Sequence, residues 1–169
     1  MQKNKRKSLI IAAMFLVSAN YCYGQQNTII DGVEINGIIW ATTNVGANNP
    51  EDFGNYYTWY EAQNACPAGW RLPTREEFGS LINTGSEWIA INNVTGRRFG
   101  SGNNTIFLPA SGWRCAIDGV LGNVGTNGYY WSSMRRDSSG AHNLGFSSDV
   151  ADVDWSSRHA GFCVRCVSE

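Results

Sequence analysis

The stretch Thr58-Trp59-Tyr60-Glu61-Ala62-Gln63-Asn64-Ala65-Cys66-Pro67-Ala68-Gly69-Trp70-Arg71-Leu72-Pro73-Thr74-Arg75-Glu76-Glu77 decides the fold class. It holds two boxes of the same design, Thr58 with Glu61 and Thr74 with Glu77. In each, the Thr hydroxyl accepts from the backbone N–H three residues on, and the Glu carboxylate reaches back to the Thr N–H. Two orphan donors are satisfied at once, so each box marks a helix start. The first helix is expected to turn Trp59, Ala62, Ala65 and Cys66 inward, and the second Phe78, Leu81 and Ile82. Pro67-Ala68-Gly69 stops the first, and Pro73 precedes the cap of the second.

Working outward, the helical period disappears after Asn83. Gly, Asn and Ser punctuate short apolar runs: Thr105 to Leu108, Gly112 to Ala116, Val120 to Val124, Tyr129 to Ser132, Ala141 to Phe146, Val150 to Trp155 and Gly161 to Val167. These read as short strands or strand-like loops. Upstream, Ile29-Ile30 and Val33-Glu34-Ile35 feed Ile38-Ile39-Trp40 as a hairpin broken at Gly32 and Gly37. The fold class expected is α+β, two helices packed on Gly-rich antiparallel sheets with long loops. No repeat of fixed period is present.

The chain has 169 residues, 43% apolar and 16% charged, which fits one globular domain and excludes a disordered chain or a membrane bundle. Residues 1–24 read as a secretory leader. Lys3, Lys5, Arg6 and Lys7 form its basic end, Leu9 to Ala19 its apolar run, and Cys22-Tyr23-Gly24 a cleavage site. The run is too short to span a bilayer, so no membrane span is expected once the leader is removed. All lysines lie in this segment. Residues 25–169, expected as a single domain, carry 9 Arg against 14 Asp and Glu, a net charge of −5. That balance argues against nucleic acid and anionic membranes as partners.

Four cysteines follow the leader: Cys66, Cys115, Cys163 and Cys166. An even count in an exported chain reads as two disulfides, with three connectivities open. Cys163-Val164-Arg165-Cys166 has CxxC spacing but no second ligand pair for zinc. Its alternation reads as a strand, which sends the two cysteines to opposite faces and to different partners.

Candidate ligand-binding residues concentrate between positions 131 and 159: Trp131, Arg135, Asp137, Asn143, Asp149, Asp152, Asp154, Trp155, Arg158 and His159. Rings that cover an apolar face, with planar amides and carboxylates at the edges, suit a sugar or a peptide. On a strand, Asp152 and Asp154 share one face while Val153 points inward. No phosphate loop, dinucleotide fingerprint or Gly-x-Ser-x-Gly elbow is present, and no cofactor or resident metal is expected. Arg71 and Arg165, set among apolar neighbours, are expected to serve structure by satisfying carbonyls.

Several motifs then fall in order. They are Trp59-x-x-Ala62-x-x-x-Cys66-Pro67-x-Gly69-Trp70-Arg71-Leu72-Pro73-Thr74-x-x-Glu77, Leu108-Pro109-Ala110, Gly128-Tyr129-Tyr130-Trp131-Ser132-Ser133 and Gly161-Phe162-Cys163-Val164-Arg165-Cys166-Val167. Upstream, Ile35-x-Gly37-x-x-Trp40-Ala41-x-x-Asn44-Val45 also fits. Together they resemble the Fibrobacter succinogenes major paralogous domain, an exported bacterial family. The resemblance implies a C-type-lectin-like fold, shared more distantly with formylglycine-generating enzymes and retroelement-diversified binding proteins. It implies a Cys66–Cys166 bridge, which leaves Cys115 and Cys163 for a second. The function expected is a non-catalytic exported or cell-surface module that binds a glycan, a peptide or a surface protein. The alternatives are an oxidase of the formylglycine-generating type using Cys163 and Cys166, or a structural subunit of a surface assembly.

Overall fold

A computed structural model describes residues 31–169. The leader expected over residues 1–24 and the Ile29-Ile30 start of the first hairpin lie outside the described residues. The described residues open with β1 (Gly32–Ile35) and β2 (Ile38–Ala41), an antiparallel hairpin. Its two turn residues, Asn36 and Gly37, both take positive φ (51° and 77°), the backbone hand that matches strand twist.

Both helices begin at the expected residues. In α1 (Trp59–Ala62) and α2 (Arg75–Asn83) the capping boxes are closed in both directions. The first helix is shorter than its apolar spacing suggests. It ends at Ala62, and Ala65 and Cys66 follow in a turn where Ala65 N–H donates to Ala62 O at 3.1 Å. Between the helices runs β3 (Trp70–Arg71). The second helix buries Phe78 and Leu81, as its spacing requires.

Next comes an antiparallel meander of β4 (Ser86–Ile91), β5 (Val94–Ser101) and β6 (Asn104–Pro109). The β4–β5 hairpin is absent from the sequence reading. Its turn is Asn92-Asn93, both at positive φ (47° and 66°), a conformation Asn tolerates better than other non-glycine residues. A two-stranded hairpin, β7 (Trp113–Arg114) with β8 (Leu121–Gly122), leads to the sheet of β9 (Gly128–Arg135), β10 (Gly140–Phe146) and β11 (Ala151–Ser157). In that sheet β10 is central. Finally β12 (Val167–Ser168) inserts between β2 and β3, so the two ends of the described chain share one sheet.

The segment from Gly161 to Val167 is not the continuous strand that its alternation suggests. Gly161 pairs with Arg114, Phe162 with Tyr57 and Cys163 with Tyr130, and only Val167 joins a ladder with Trp40 and Arg71. Each residue meets a different neighbour because the segment threads the centre of the domain. Its side chains divide between two apolar clusters. Cys163 and Val167 join Trp40, Phe78, Phe99 and Tyr130, while Phe162, Val164 and Cys166 join Leu72 and Trp131.

Arg165 lies at full burial within this segment. Its Nε donates to Asn44 Oδ1, Nη1 to Ala41 O and Thr42 O, and Nη2 to Phe107 O, each at 3.0 Å. Burial lowers its pKa to about 10, so it remains a cation at neutral pH. Arg71 is structural too, holding Glu77 through two bonds of 2.8 and 2.6 Å.

Cys66 and Cys166 form a disulfide across 100 positions. The second bridge expected, Cys115 to Cys163, is not formed, and both are free thiols. Geometry explains the difference. Cys163 pairs with Tyr130 at the centre of the domain, whereas Cys115 follows Arg114 at the end of β7, so the two thiols belong to different neighbourhoods. Cys163 Sγ instead sits 3.2 Å from Phe53 O, and burial pushes its thiol up to about 12. Cys115 starts the tight turn between β7 and β8, its backbone bonded to Val120 and Gly119.

Candidate functional site

The ten candidate residues do not form one site. Trp131 is fully buried, its ring 4.3 Å from Phe162 and its Nε1 bonded to Tyr57 O at 2.8 Å. It is a core residue and is removed from the ligand set. Asn143, at the centre of β10, is 1% exposed and leaves the surface set as well. Asp137 shapes the β9–β10 turn by accepting from Ser139 N, Ser139 Oγ and Gly140 N at 2.8–2.9 Å. Those bonds hold its carboxyl down at about 2. Asp149 is exposed in the β10–β11 turn and accepts from Ser148 Oγ.

The remaining residues divide by strand parity and position. Trp155 is 47% exposed on the Val153 side of β11, with the Arg136 guanidinium stacked 3.6 Å from its ring centroid. Arg135 ends β9 exposed on the same edge of the domain. Arg158 and His159 lie on the turn after β11 and pack on Tyr60, the guanidinium 4.9 Å and the imidazole 5.7 Å from its ring centroid. Arg158 also bonds Ser138 O, which locks the turn to the β9–β10 loop.

Asp152 and Asp154 face the other way. Register places Asp152 opposite Gly145 and Asp154 opposite Asn143 on β10, and Gly145 in turn opposite Tyr129 on β9. The two rows make a shallow groove of about 190 Å³ lined by Tyr129, Gly145, Val150, Asp152, Asp154 and Asn127. Tyr129 supplies an aromatic wall, stacked on Phe162 at 5.1 Å. Tyr129, Gly145 and Asn127 are absent from the sequence-derived set. The signal that finds Tyr129 is its position two residues before Trp131, on the same face of β9 but nearer the open edge of the core.

The groove differs from a larger hollow elsewhere on the domain in its unpaired carboxylates. A larger hollow of about 390 Å³ is lined by Arg71, Thr74 and Glu169, but Arg71 and Thr74 are engaged with Glu77. In the groove, the Oδ1 atoms of Asp152 and Asp154 each accept the N–H of the following residue, at 2.7 and 2.8 Å. Among the described residues neither carboxylate has an ion-pair partner. The Oδ1 of Asn143 is buried without a hydrogen-bond partner.

The Fibrobacter succinogenes major domain profile matches residues 11–168. The chain belongs to this family. The match to the Fibrobacter succinogenes major domain spans both capping boxes, the disulfide and the groove, and begins inside the segment read as a leader. No curated protein and no solved structure matches the chain. Among the described residues, no helix of this domain is long and apolar enough to cross a membrane.

Proposed function

We propose that this Fibrobacter succinogenes major domain is an exported, non-catalytic binding module of C-type-lectin-like fold that takes a glycan, a peptide or a surface protein. The observation that carries the reading is the Tyr129–Asp152–Asp154 groove: an aromatic wall beside two unpaired carboxylates on a rigid sheet. Ring and acceptor side by side is the arrangement by which proteins hold amphipathic polar ligands. The Cys66–Cys166 disulfide supports an oxidising destination. The oxidase alternative requires free thiols at both Cys163 and Cys166. The Cys66–Cys166 bond and the burial of Cys163 favour the binding reading over it.

The test uses the chain from Gln25, fluorescently labelled, on glycan arrays, peptide arrays and intact bacterial cells. Retention on at least one surface, reduced by Asp152→Ala/Asp154→Ala, supports the reading. Both residues are exposed, so the double variant tests recognition and not folding. Retention on none, or retention unchanged in the double variant, overturns it.

A further inference from the structure

The groove on the β9–β10–β11 sheet discriminates among ligand classes by its charge and size. Asp152 and Asp154 project from the same face of β11, two residues and about 7 Å apart. Each has one oxygen held by backbone and the other unbound. No Arg or His lines the groove. Asn143 on β10 lies beside Asp154, its buried Oδ1 without a partner and its Nδ2 3.7 Å from the position a Cβ on Gly145 would occupy. The only charged groups lining the groove are the two carboxylates, and two free carboxylate oxygens in a fixed array call for a ligand rich in N–H donors.

The ring of Tyr129 points to the charge of those donors. Its edge carbons lie 3.8 Å from the same Gly145 position, so the open space is walled by an aromatic ring on one side and carboxylates on the other. That pairing suits a cation, attracted by both the ring and the anions. Size narrows the choice further. At about 190 Å³ the groove is smaller than the roughly 300–1,000 Å³ of pockets that enclose whole small molecules. It accommodates one side-chain head. The net charge of −5 over residues 25–169 favours encounter with a basic partner over an acidic one.

We propose that the Tyr129–Gly145–Asp152–Asp154 groove receives the cationic head of an arginine or lysine side chain from a peptide or protein partner. This rests on the reading of the domain as a binding module and names the ligand chemistry of that same site. The guanidinium or ammonium lies against Tyr129, donates to the free oxygens of Asp152 and Asp154, and carries its methylenes across Gly145.

The experiment is an amide ¹H–¹⁵N titration of the chain from Gln25 with four probes: N-acetylarginine amide, N-acetyllysine amide, neutral N-acetylglutamine amide and a panel of methyl glycosides. The expected result is saturable shifts of Tyr129, Gly145 and Asp152 with a cationic amide and none with the glutamine amide. Asp152→Asn/Asp154→Asn should weaken the response roughly fivefold or more, and added salt should weaken it further. Gly145→Ala should weaken it too. The new Cβ makes only ordinary contacts, so the fold is retained while the floor is raised. Equal response to the glutamine amide, or no response to either cationic probe, overturns the proposal. Groove shifts with a methyl glycoside alone overturn it while leaving the binding-module reading intact. Retention on arrays or cells that the double variant does not reduce removes that reading itself.

Discussion

Arg165 Nε and Asn44 Oδ1 meet at 3.0 Å in the centre of the domain, 121 positions apart in the chain. The same guanidinium also holds three carbonyls, two from the Ala41-Thr42 strand end and one from Phe107 on β6. A single side chain thus joins the terminal sheet to the β4–β5–β6 meander. Arg165→Met takes the donor from four acceptors, three of them in buried bonds, and should cost about 3–5 kcal/mol. Urea unfolding followed by tryptophan fluorescence measures this. Arg165→Lys should recover little, because an ammonium cannot span the fork. A midpoint close to wild type in Arg165→Met would contradict the assignment.

Cysteine accessibility should separate the two free thiols. In the chain from Gln25, iodoacetamide near neutral pH should label Cys115 in the folded protein and leave Cys163 untouched. Burial keeps the Cys163 thiol protonated, and the thiolate is the reacting form. Denaturation without reduction should expose two labelling sites, and reduction should raise the total to four. No label at all before reduction would restore the second bridge.

Removing the Cys66–Cys166 bond should be costly. On the chain-entropy account, a loop of 100 residues contributes about 4–5 kcal/mol. Cys66→Ala/Cys166→Ala should lower the thermal midpoint well below that of the oxidised protein. An unchanged midpoint would mean that the packing of the C-terminal segment alone fixes the fold.

Glu77 links stability to acid. Hydrogen bonds from Arg71, chiefly, and from the Thr74 backbone hold its carboxyl below the ordinary value of 4.5. The folded state thus favours the ionised form. The resulting stability is complete above the unfolded value and fades as pH falls through the lower folded one. Glu77→Gln should cost about 1–2 kcal/mol at neutral pH, from the weakened cap and the lost Arg71 pair. Urea midpoints of both proteins should converge as the pH drops below 4.5. A constant gap across that range would point to packing as the cause.

The local rules in the sequence survive into the structure where they depend on near neighbours. Both capping boxes close, the Asn36-Gly37 turn forms, and Arg71 and Arg165 satisfy structural partners. Strand parity also holds on β11, with Asp152 and Asp154 exposed and Val153 packed on the core. What is not legible is which strand faces are covered. Trp131 and Asp154 lie on the same sheet face, one strand apart on either side of Asn143. Trp131 is covered by Phe162 stacked on its ring, and Phe162 arrives from a segment that is 31 residues further along and makes no regular ladder there. The β4–β5 hairpin is missed for a different reason. Its second strand breaks any apolar alternation with Gly96, Arg97 and Arg98 in a row, and Asn92-Asn93 is a weaker turn signal than Asn-Gly.

The bond between Cys66 and Cys166 also sets how the domain responds to mechanical load. Tension applied between its two ends reaches the bond after unravelling only the chain before Cys66 and the last three residues. The intervening segment, which carries the groove, is bypassed. Its roughly 350 Å of extensible contour stays unavailable to the pulling force. The pulling force therefore never stretches the groove strands directly, even while the strands at the N-terminal edge are being peeled away.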